Sequence, residues 1–392
     1  MQKHFFIVFT FFSLLCLVRD GFAQKINPEK LAAYIAENSA HHSEAIIIYQ
    51  DNQLIAEKYY GVGSKRKRIE AMSATKSIIG LTVACMLTDK KIENLDIPIC
   101  KFYPEWNQGQ KKLITLRHLV NMTSGLQNNP NAGVEIYPSN DFVQLALCAE
   151  LSDEPGTTFK YNNKSLNLLA GVIQKITGKR MDAYIAERLF KPLGIKNFTW
   201  TKDKAGNPHV MSGCQITPPD FVKIGLLVLN NGKYGQQTIV NENAMAELLN
   251  PASVFMGYGM LWWLDYENTT SVIDDSVITR LRKQGVDKNF IAKVELMKGS
   301  YKNGEYLTAL KKVFGEQAVD TLNAYLIPYG AEMRRREFGG AIKYRADGYL
   351  GNYIIVDPKT KIVAIRMISY DSYKEPEDGF PDFKNIVKKI VD

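Results

Sequence analysis

The chain has 392 residues, 45% hydrophobic, 23% charged and 11% aromatic. That is enough apolar mass for a large core and the wrong composition for a disordered or collagen-like polymer. Its formal charge of +8 is carried by short runs such as Lys65-Arg66-Lys67-Arg68 and Arg334-Arg335-Arg336. These lack the interleaved aromatics of a single-strand binder, which argues against a nucleic-acid partner and for solvated loops or a surface suited to anionic envelope polymers or lipids.

At the start of the chain, Lys3 and His4 precede an apolar run from Phe5 to Val18, and Gly21-Phe22-Ala23 follows with a small-x-small pattern. The run is shorter than the roughly 20 residues that cross a bilayer as a helix. Residues 1–23 are therefore expected to be a signal peptide cut after Ala23, giving an exported protein, periplasmic or secreted, without a stable membrane span. A permanent anchor is the competing reading. Leu15 before Cys16 is not the small residue that lipid attachment requires. Removing Lys3, Arg19 and Asp20 with the leader leaves 47 basic and 40 acidic residues, a charge of +7.

The next elements in chain order are a helix over 27–38 and a hairpin over Glu44–Tyr60 turning at Asp51-Asn52. A helix over 73–88 follows, with apolar periodicity that starts at Ser73. From about 96 to 250 the pattern is helical, broken at Pro104, Gly125, Pro130, Pro155-Gly156, Pro192 and Pro218-Pro219, with helices near 141–150, 164–177, 181–190 and 219–230. Strand character returns at 258–264, at Ala341–Arg345, at Tyr353–Asp357 and at Ile362–Ile368, before a last helix near 382–391. The charged stretch over about 265–340, with helical patterns at 276–298 and 305–326, separates strands that should be neighbours and reads as an insertion. Residues 24–392 thus form one domain with a helical lobe and an insertion; no repeat of solenoid or propeller length is visible.

Four cysteines lie beyond the leader, Cys85, Cys100, Cys148 and Cys214. Their wide spacing fits neither a small disulfide scaffold nor a zinc knuckle, though one or two bridges are allowed, and Cys85 falls in a core pattern. His41, His42, His118 and His209 form no H-E-x-x-H or H-x-H pair. No metal or other cofactor is expected, and His118 should serve a local hydrogen bond.

No G-x-S-x-G elbow occurs, and the few histidines leave little scope for a Ser-His-Asp triad. Ser73-Ala74-Thr75-Lys76 offers a different base. Positions i and i+3 at a helix start share a face, so the lysine reaches the hydroxyl, and the helix N-terminus adds positive potential and a free N–H for an oxyanion. A second S-x-x-K, Ser64-Lys65-Arg66-Lys67, sits in a glycine-flanked basic loop, where its side chains face water. Lys76 instead lies in an apolar helix, where burial lowers an amine's pKa. The plain alternative for Ser73 is a helix cap.

Tyr161-Asn162-Asn163 places a phenol and an amide two residues apart in a turn before an apolar helix, aimed the same way. The same Tyr-x-Asn spacing recurs at Tyr266 and Tyr301 without that context. Trp262-Trp263 lies on a strand whose alternation sends one ring inward and the other toward the cleft or insertion, and reads as core packing ahead of substrate stacking; Asp274-Asp275 reads as a solvated acidic pair.

With these blocks in this order, the chain resembles the serine β-lactamase and penicillin-binding-protein superfamily, in its class C-like branch, alongside β-lactamase-fold esterases and nylon-oligomer hydrolases. Further carriers of the likeness are the stretch from Ile114 to Leu126, Thr217-Pro218-Pro219-Asp220 through Gly225, and Gly348-Tyr349-Leu350-Gly351-Asn352-Tyr353. The resemblance implies a mixed α/β fold of the β-lactamase/transpeptidase type: a mostly antiparallel sheet flanked by helices, plus an all-helical lobe. It implies Ser73 as an acylated nucleophile, with Lys76 and Tyr161 as acid/base groups whose order of action stays open. Asn163 would hydrogen-bond the substrate and Lys76, and Gly348 would lead to Tyr349, whose N–H joins that of Ser73 as oxyanion donors.

The third motif of the superfamily, Lys-Thr-Gly or His-x-Gly, falls on Ala346-Asp347-Gly348. Its cation is missing, and an aspartate there should repel a substrate carboxylate. Arg345 or Lys343 would substitute if the correspondence slips by a residue or two. The expected activity is therefore hydrolysis of a small-molecule, peptide or ester substrate, esterase- or amidase-like. A D-alanyl-D-alanine carboxypeptidase or β-lactamase is one alternative, and a non-catalytic cell-wall-binding module of the same fold, with the insertion as contact surface, is another.

Overall fold

The computed structural model describes residues 25–302, 304–326, 329 and 331–392. The expected leader, residues 1–23, lies outside them. Among the described residues no helix is long and apolar enough to cross a membrane.

The hairpin expected near the N-terminus forms as β1 (Ala45–Gln50) and β2 (Gln53–Tyr59), with Asp51 and Asn52 both at positive φ in the tight turn. Two small sheets follow. One contains β3 (Ile69–Glu70), β4 (Phe198–Trp200) and β5 (Cys214–Ile216), with β5 in the middle; the other pairs β6 (Lys233–Tyr234) with β7 (Gln237–Thr238). The late strands are β8 (Trp263–Ile273), β9 (Gly299–Lys302), β10 (Arg335–Gly348), β11 (Asn352–Asp357) and β12 (Ile362–Met367). With the first hairpin they build a seven-stranded sheet in the order β2-β1-β12-β11-β10-β8-β9, every neighbour antiparallel.

The central strands are apolar at nearly every position because both faces are covered. Ile47, Ile354, Val356, Val363 and Ile365 enter the main core with helix Pro218–Leu229, where Gly225 lets the backbone approach: a Cβ there would lie 2.6 Å from Val363 and 2.7 Å from Ile354. The alternate residues Ile46, Ile48, Tyr353, Ile355 and Ala364 pack beneath helices Pro28–Ala40 and Ile386–Ile390. The two helices are tied at their ends, where Asn27 N donates to the Ile390 carbonyl at 2.8 Å.

Helix Thr75–Thr88 runs through the main core with every residue from Thr75 to Met86 buried. Each fully buried Ile or Leu there contributes roughly 1.5–3 kcal/mol. It is fastened to the chain leading into β8: Ser77 Oγ donates to the Leu261 carbonyl (2.8 Å), Trp262 Nε1 donates to the Ser77 carbonyl (3.2 Å), and a Cβ on Gly80 would sit 2.4 Å from the Met260 carbonyl. The Trp-Trp step therefore fixes where β8 starts. The strand expected over 258–264 begins only at Trp263 and runs on to Ile273, because residues 258–262 are held by this helix rather than by a neighbouring strand. Between Ile273 and Arg335 lie β9 and helices Asp275–Lys283, Lys288–Glu295, Glu305–Phe314 and Ala318–Leu326, which share a separate small core around Leu281, Phe290 and Leu310.

The four described cysteines are free, so no bridge links them. Cys85 is fully buried. His118 completes a capping box with Thr115 at helix Leu116–Val120, the local hydrogen bond expected of it.

Candidate active site

Ser73 does not lie on the regular helix but in a 3-10 turn, Met72–Ala74, that feeds into it. Met72 holds φ +50°, a left-handed conformation that costs a non-glycine residue about 1–2 kcal/mol and is characteristic of functional turns. The turn is pinned from β5 and the loop before it: Ala71 N donates to the Cys214 carbonyl (2.8 Å) and Cys214 N to Thr75 Oγ1 (3.3 Å).

One helical turn on, Lys76 is 2% exposed. Its Nζ donates to Ser73 Oγ at 2.9 Å and to the Met211 carbonyl at 2.7 Å. Burial drives its pKa from 10.5 down to about 7, with Asp347 opposing the fall. The amine is thus partly unprotonated near neutrality and already touches the hydroxyl. By contrast, Ser64 is exposed and Lys67 is paired with Glu44 at 2.6 Å, so the second S-x-x-K stays in a surface network.

Tyr161 closes the third side. Lys76 Nζ lies 5.0 Å from its ring centroid, and burial pushes the phenol up to about 12, the Ser73 hydroxyl opposing the rise. Asn162 turns away from the site. It caps helix Asn163–Leu166 by accepting from Ser165 N (2.9 Å) and donates to the Leu126 carbonyl (2.7 Å), which sets the direction of its two neighbours. Trp263 stacks on Tyr161 with ring centroids 6.0 Å apart and planes 15° from parallel, while Trp262 is fully buried. Of the tryptophan pair, only the first is purely core.

Asn163 does not bond Lys76 as expected. The lysine's hydrogen bonds go to Ser73 and Met211, because Met211 lies just before the β5 residue that pins the Ser73 turn and delivers its carbonyl to the amine. Asn163 Oδ1 is instead buried without a hydrogen-bond partner among the described residues. A buried acceptor left this way costs stability until something donates to it. Gly348 ends β10 against the Ser73 turn, where a Cβ would lie 2.3 Å from the Ala71 carbonyl. Tyr349, the next residue, is 65% exposed.

The third-motif segment corrects the sequence reading in charge. Strand register sets Ala346 opposite Ile354 in the main core and Asp347 opposite Tyr353 on the other face. Asp347 is not a bare anion: Arg345 and Lys384 Nζ (2.9 Å) both pair with it. Nor is Arg345 a spare cation, since it also grips Asp265 through Nε (2.7 Å) and Nη2 (3.0 Å). Lys343, on the same strand as Arg345, lies opposite Asp265 of β8. Arg345 and Lys384 thus balance Asp265 and Asp347 within the chain.

One group among the described residues has metal-ligand types close together: His42, Glu375 and Asp378. Asp378 already accepts from His42 Nδ1 (2.6 Å), Lys374 N (2.7 Å) and Glu375 N (3.2 Å), which accounts for the carboxylate without an ion. The sequence reading missed the Met211 carbonyl, which carries no local signal, and favoured core packing for the tryptophan pair although strand alternation already turned one ring toward the cleft.

This arrangement, a serine on a strained turn with a buried lysine one helical turn away and a phenol across from both, agrees with the comparison to known families. The Beta-lactamase family profile matches residues 31–382. The chain belongs to the beta-lactamase family. Among curated relatives, Protein flp of Staphylococcus aureus strain MW2 is 25% identical over 187 residues, covering 44% of this chain and 37% of that protein, so the match spans well under half the relative's length. Among solved structures, a candidate 6-aminohexanoate-dimer hydrolase from Bacillus anthracis superposes with a TM-score of 0.62 at 16% identity, covering 92% of this chain and 82% of that one. EstCE1, described as a hydrolase with promiscuous acyltransferase activity, does so with a TM-score of 0.59 at 14% identity, covering 92% and 98%. At these identities the superpositions establish the β-lactamase/transpeptidase fold.

Proposed function

We propose that this beta-lactamase-family protein is an exported serine hydrolase that cleaves an ester or amide through an acyl-enzyme on Ser73. The observation that carries the reading is the 2.9 Å contact between Ser73 Oγ and a buried Lys76 amine whose pKa lies at about 7. Neutral Lys76 takes the hydroxyl proton as Ser73 attacks the carbonyl carbon. Tyr161, whose phenol stays protonated up to about pH 12, passes a proton to the leaving group, and water then attacks the acyl-enzyme by the reverse route. The backbone N–H groups of Ser73 and Tyr349 are assigned to the developing oxyanion, and the unpartnered Asn163 Oδ1 to a substrate donor.

Ala346 in place of a cation, together with the engagement of Arg345 by two carboxylates, supports an esterase or amidase over an enzyme that grips a carboxylate beside the scissile bond. The test is intact-mass spectrometry after incubation with p-nitrophenyl esters, a phosphonate, nitrocefin and a D-Ala-D-Ala peptide. One adduct is expected, on Ser73, absent from Ser73→Ala and given by the activated esters. Labelling elsewhere, or no adduct with any probe, would overturn the proposal.

A further inference from the structure

The wall that Trp263 forms beside Tyr161 continues away from Ser73 as a row of partly exposed rings. Trp263 meets Phe159 (centroids 6.3 Å apart), Phe159 meets Phe255 (4.6 Å), and Phe255 meets Phe338 (6.3 Å). Phe255 and Phe338 line a cavity of about 430 Å³ together with Arg280, Arg334, Arg335 and Arg336.

All of these cations but Arg335 lack carboxylate partners among the described residues. The Arg336 guanidinium lies over the Phe255 ring at 5.4 Å and makes no ion pair or hydrogen bond among the described residues. Arg334 lies over Tyr306 at 4.1 Å and donates to Ser271 Oγ (2.9 Å); Arg280 donates to the carbonyls of Glu332 (2.9 Å) and Arg334 (3.4 Å). Only Arg335 is neutralised, by Asp274 and Glu337. Glu332, the one carboxylate lining the cavity, is exposed and forms no ion pair among the described residues. The ring faces hold these guanidinium groups, but neighbouring like charges repel until an anion arrives, and a guanidinium fork fits a carboxylate or phosphate.

We infer that the cavity rimmed by Arg336, Arg334 and Arg280 holds an anionic group, carboxylate or phosphate, at the far end of an apolar substrate whose scissile carbonyl lies at Ser73, its spacer running over Phe255, Phe159 and Trp263. The inference rests on the hydrolase reading above and adds the substrate class: esters or amides of amphiphiles with a remote negative charge. This remote anion differs from a carboxylate adjoining the scissile bond, for which the third-motif segment has no free cation.

The test uses pairs of esters matched in length, one ending in a carboxylate and one in a methyl group, with the tail on the acyl side and, in a second pair, on the alcohol side. In one orientation the ratio of kcat/KM, charged over neutral, should be about tenfold or more, and it should fall toward one in Arg336→Gln and at about 0.5 M salt. A ratio near one in both orientations, or one that Arg336→Gln leaves unchanged, overturns the inference while the hydrolase reading stands. Should no ester be cleaved, that reading fails and binding decides the cavity. Ser73→Ala protein should bind octanoate or octyl phosphate more tightly than octanol, the tighter of the two identifying the anion, and adding Arg336→Gln should weaken it about tenfold. Equal affinities overturn the inference.

Discussion

The sharpest consequence of the structure concerns the charge of Lys76. Its fall from 10.5 to about 7 corresponds to about 5 kcal/mol of lost preference for the charged form. At pH 7 roughly half of the amines are then unprotonated, against fewer than about one in a thousand for an ordinary lysine. If Lys76 is the first base, acylation of Ser73 should rise with pH through an inflection near 7 and level off above it. Tyr161, held protonated to about 12, contributes no inflection in that range. The sign for stability follows from linkage. The unfolded lysine binds a proton up to about 10.5 and the folded one only to about 7, so the penalty is complete below pH 7 and is relieved as pH rises from 7 toward 10.5. Lys76→Met should therefore abolish acylation, yet unfold at a higher urea concentration than the parent at pH 6, with the advantage shrinking by pH 9. The assays are stopped-flow acylation by a p-nitrophenyl ester and urea titrations at the two pH values. A flat rate profile between pH 6 and 9, or a Lys76→Met protein less stable than the parent at pH 6, would refute the reasoning.

Other expectations follow from the same geometry. Tyr161→Phe should lower kcat by about a hundredfold while leaving the fold unchanged by circular dichroism, as removal of a general acid/base does; a loss below tenfold would demote the phenol to a wall. Gly348→Ala drives a methyl to 2.3 Å from the Ala71 carbonyl, and should cost about 1–3 kcal/mol in urea melts along with most of the activity. A parent-like kcat would show that β10 does not position the nucleophile turn. Arg345→Met removes the bonds of Asp265 to Arg345 and leaves Asp347 with Lys384 alone; a loss of about 1–3 kcal/mol is expected for these half-exposed carboxylates, read by thermal and urea unfolding, and an unchanged midpoint would contradict the network.

How far the site could be read in advance depended on how local each contact is. Ser73 and Lys76 are three residues apart on one helical rise, so the spacing already implied that they touch. The Tyr161 turn was legible for the same reason, since Asn162 caps the helix that its own sequence begins. Asn163 was assigned to Lys76 because nothing in the chain pattern reveals that Met211, 135 residues away, fills that place. The charge of the third-motif segment was misjudged on similar grounds: Asp347 looked bare until register and the chain terminus brought Arg345 and Lys384 to it.

The sequence by itself determined the periodic elements and the contact of Ser73 with the Lys76 amine, because hydrophobic spacing, capping and an i, i+3 relation act within a few residues. The tertiary structure alone decided the amine's pKa, the tryptophan beside the phenol and the pairing of Asp347. Each of these depends on desolvation or on partners that only folding brings from distant parts of the chain.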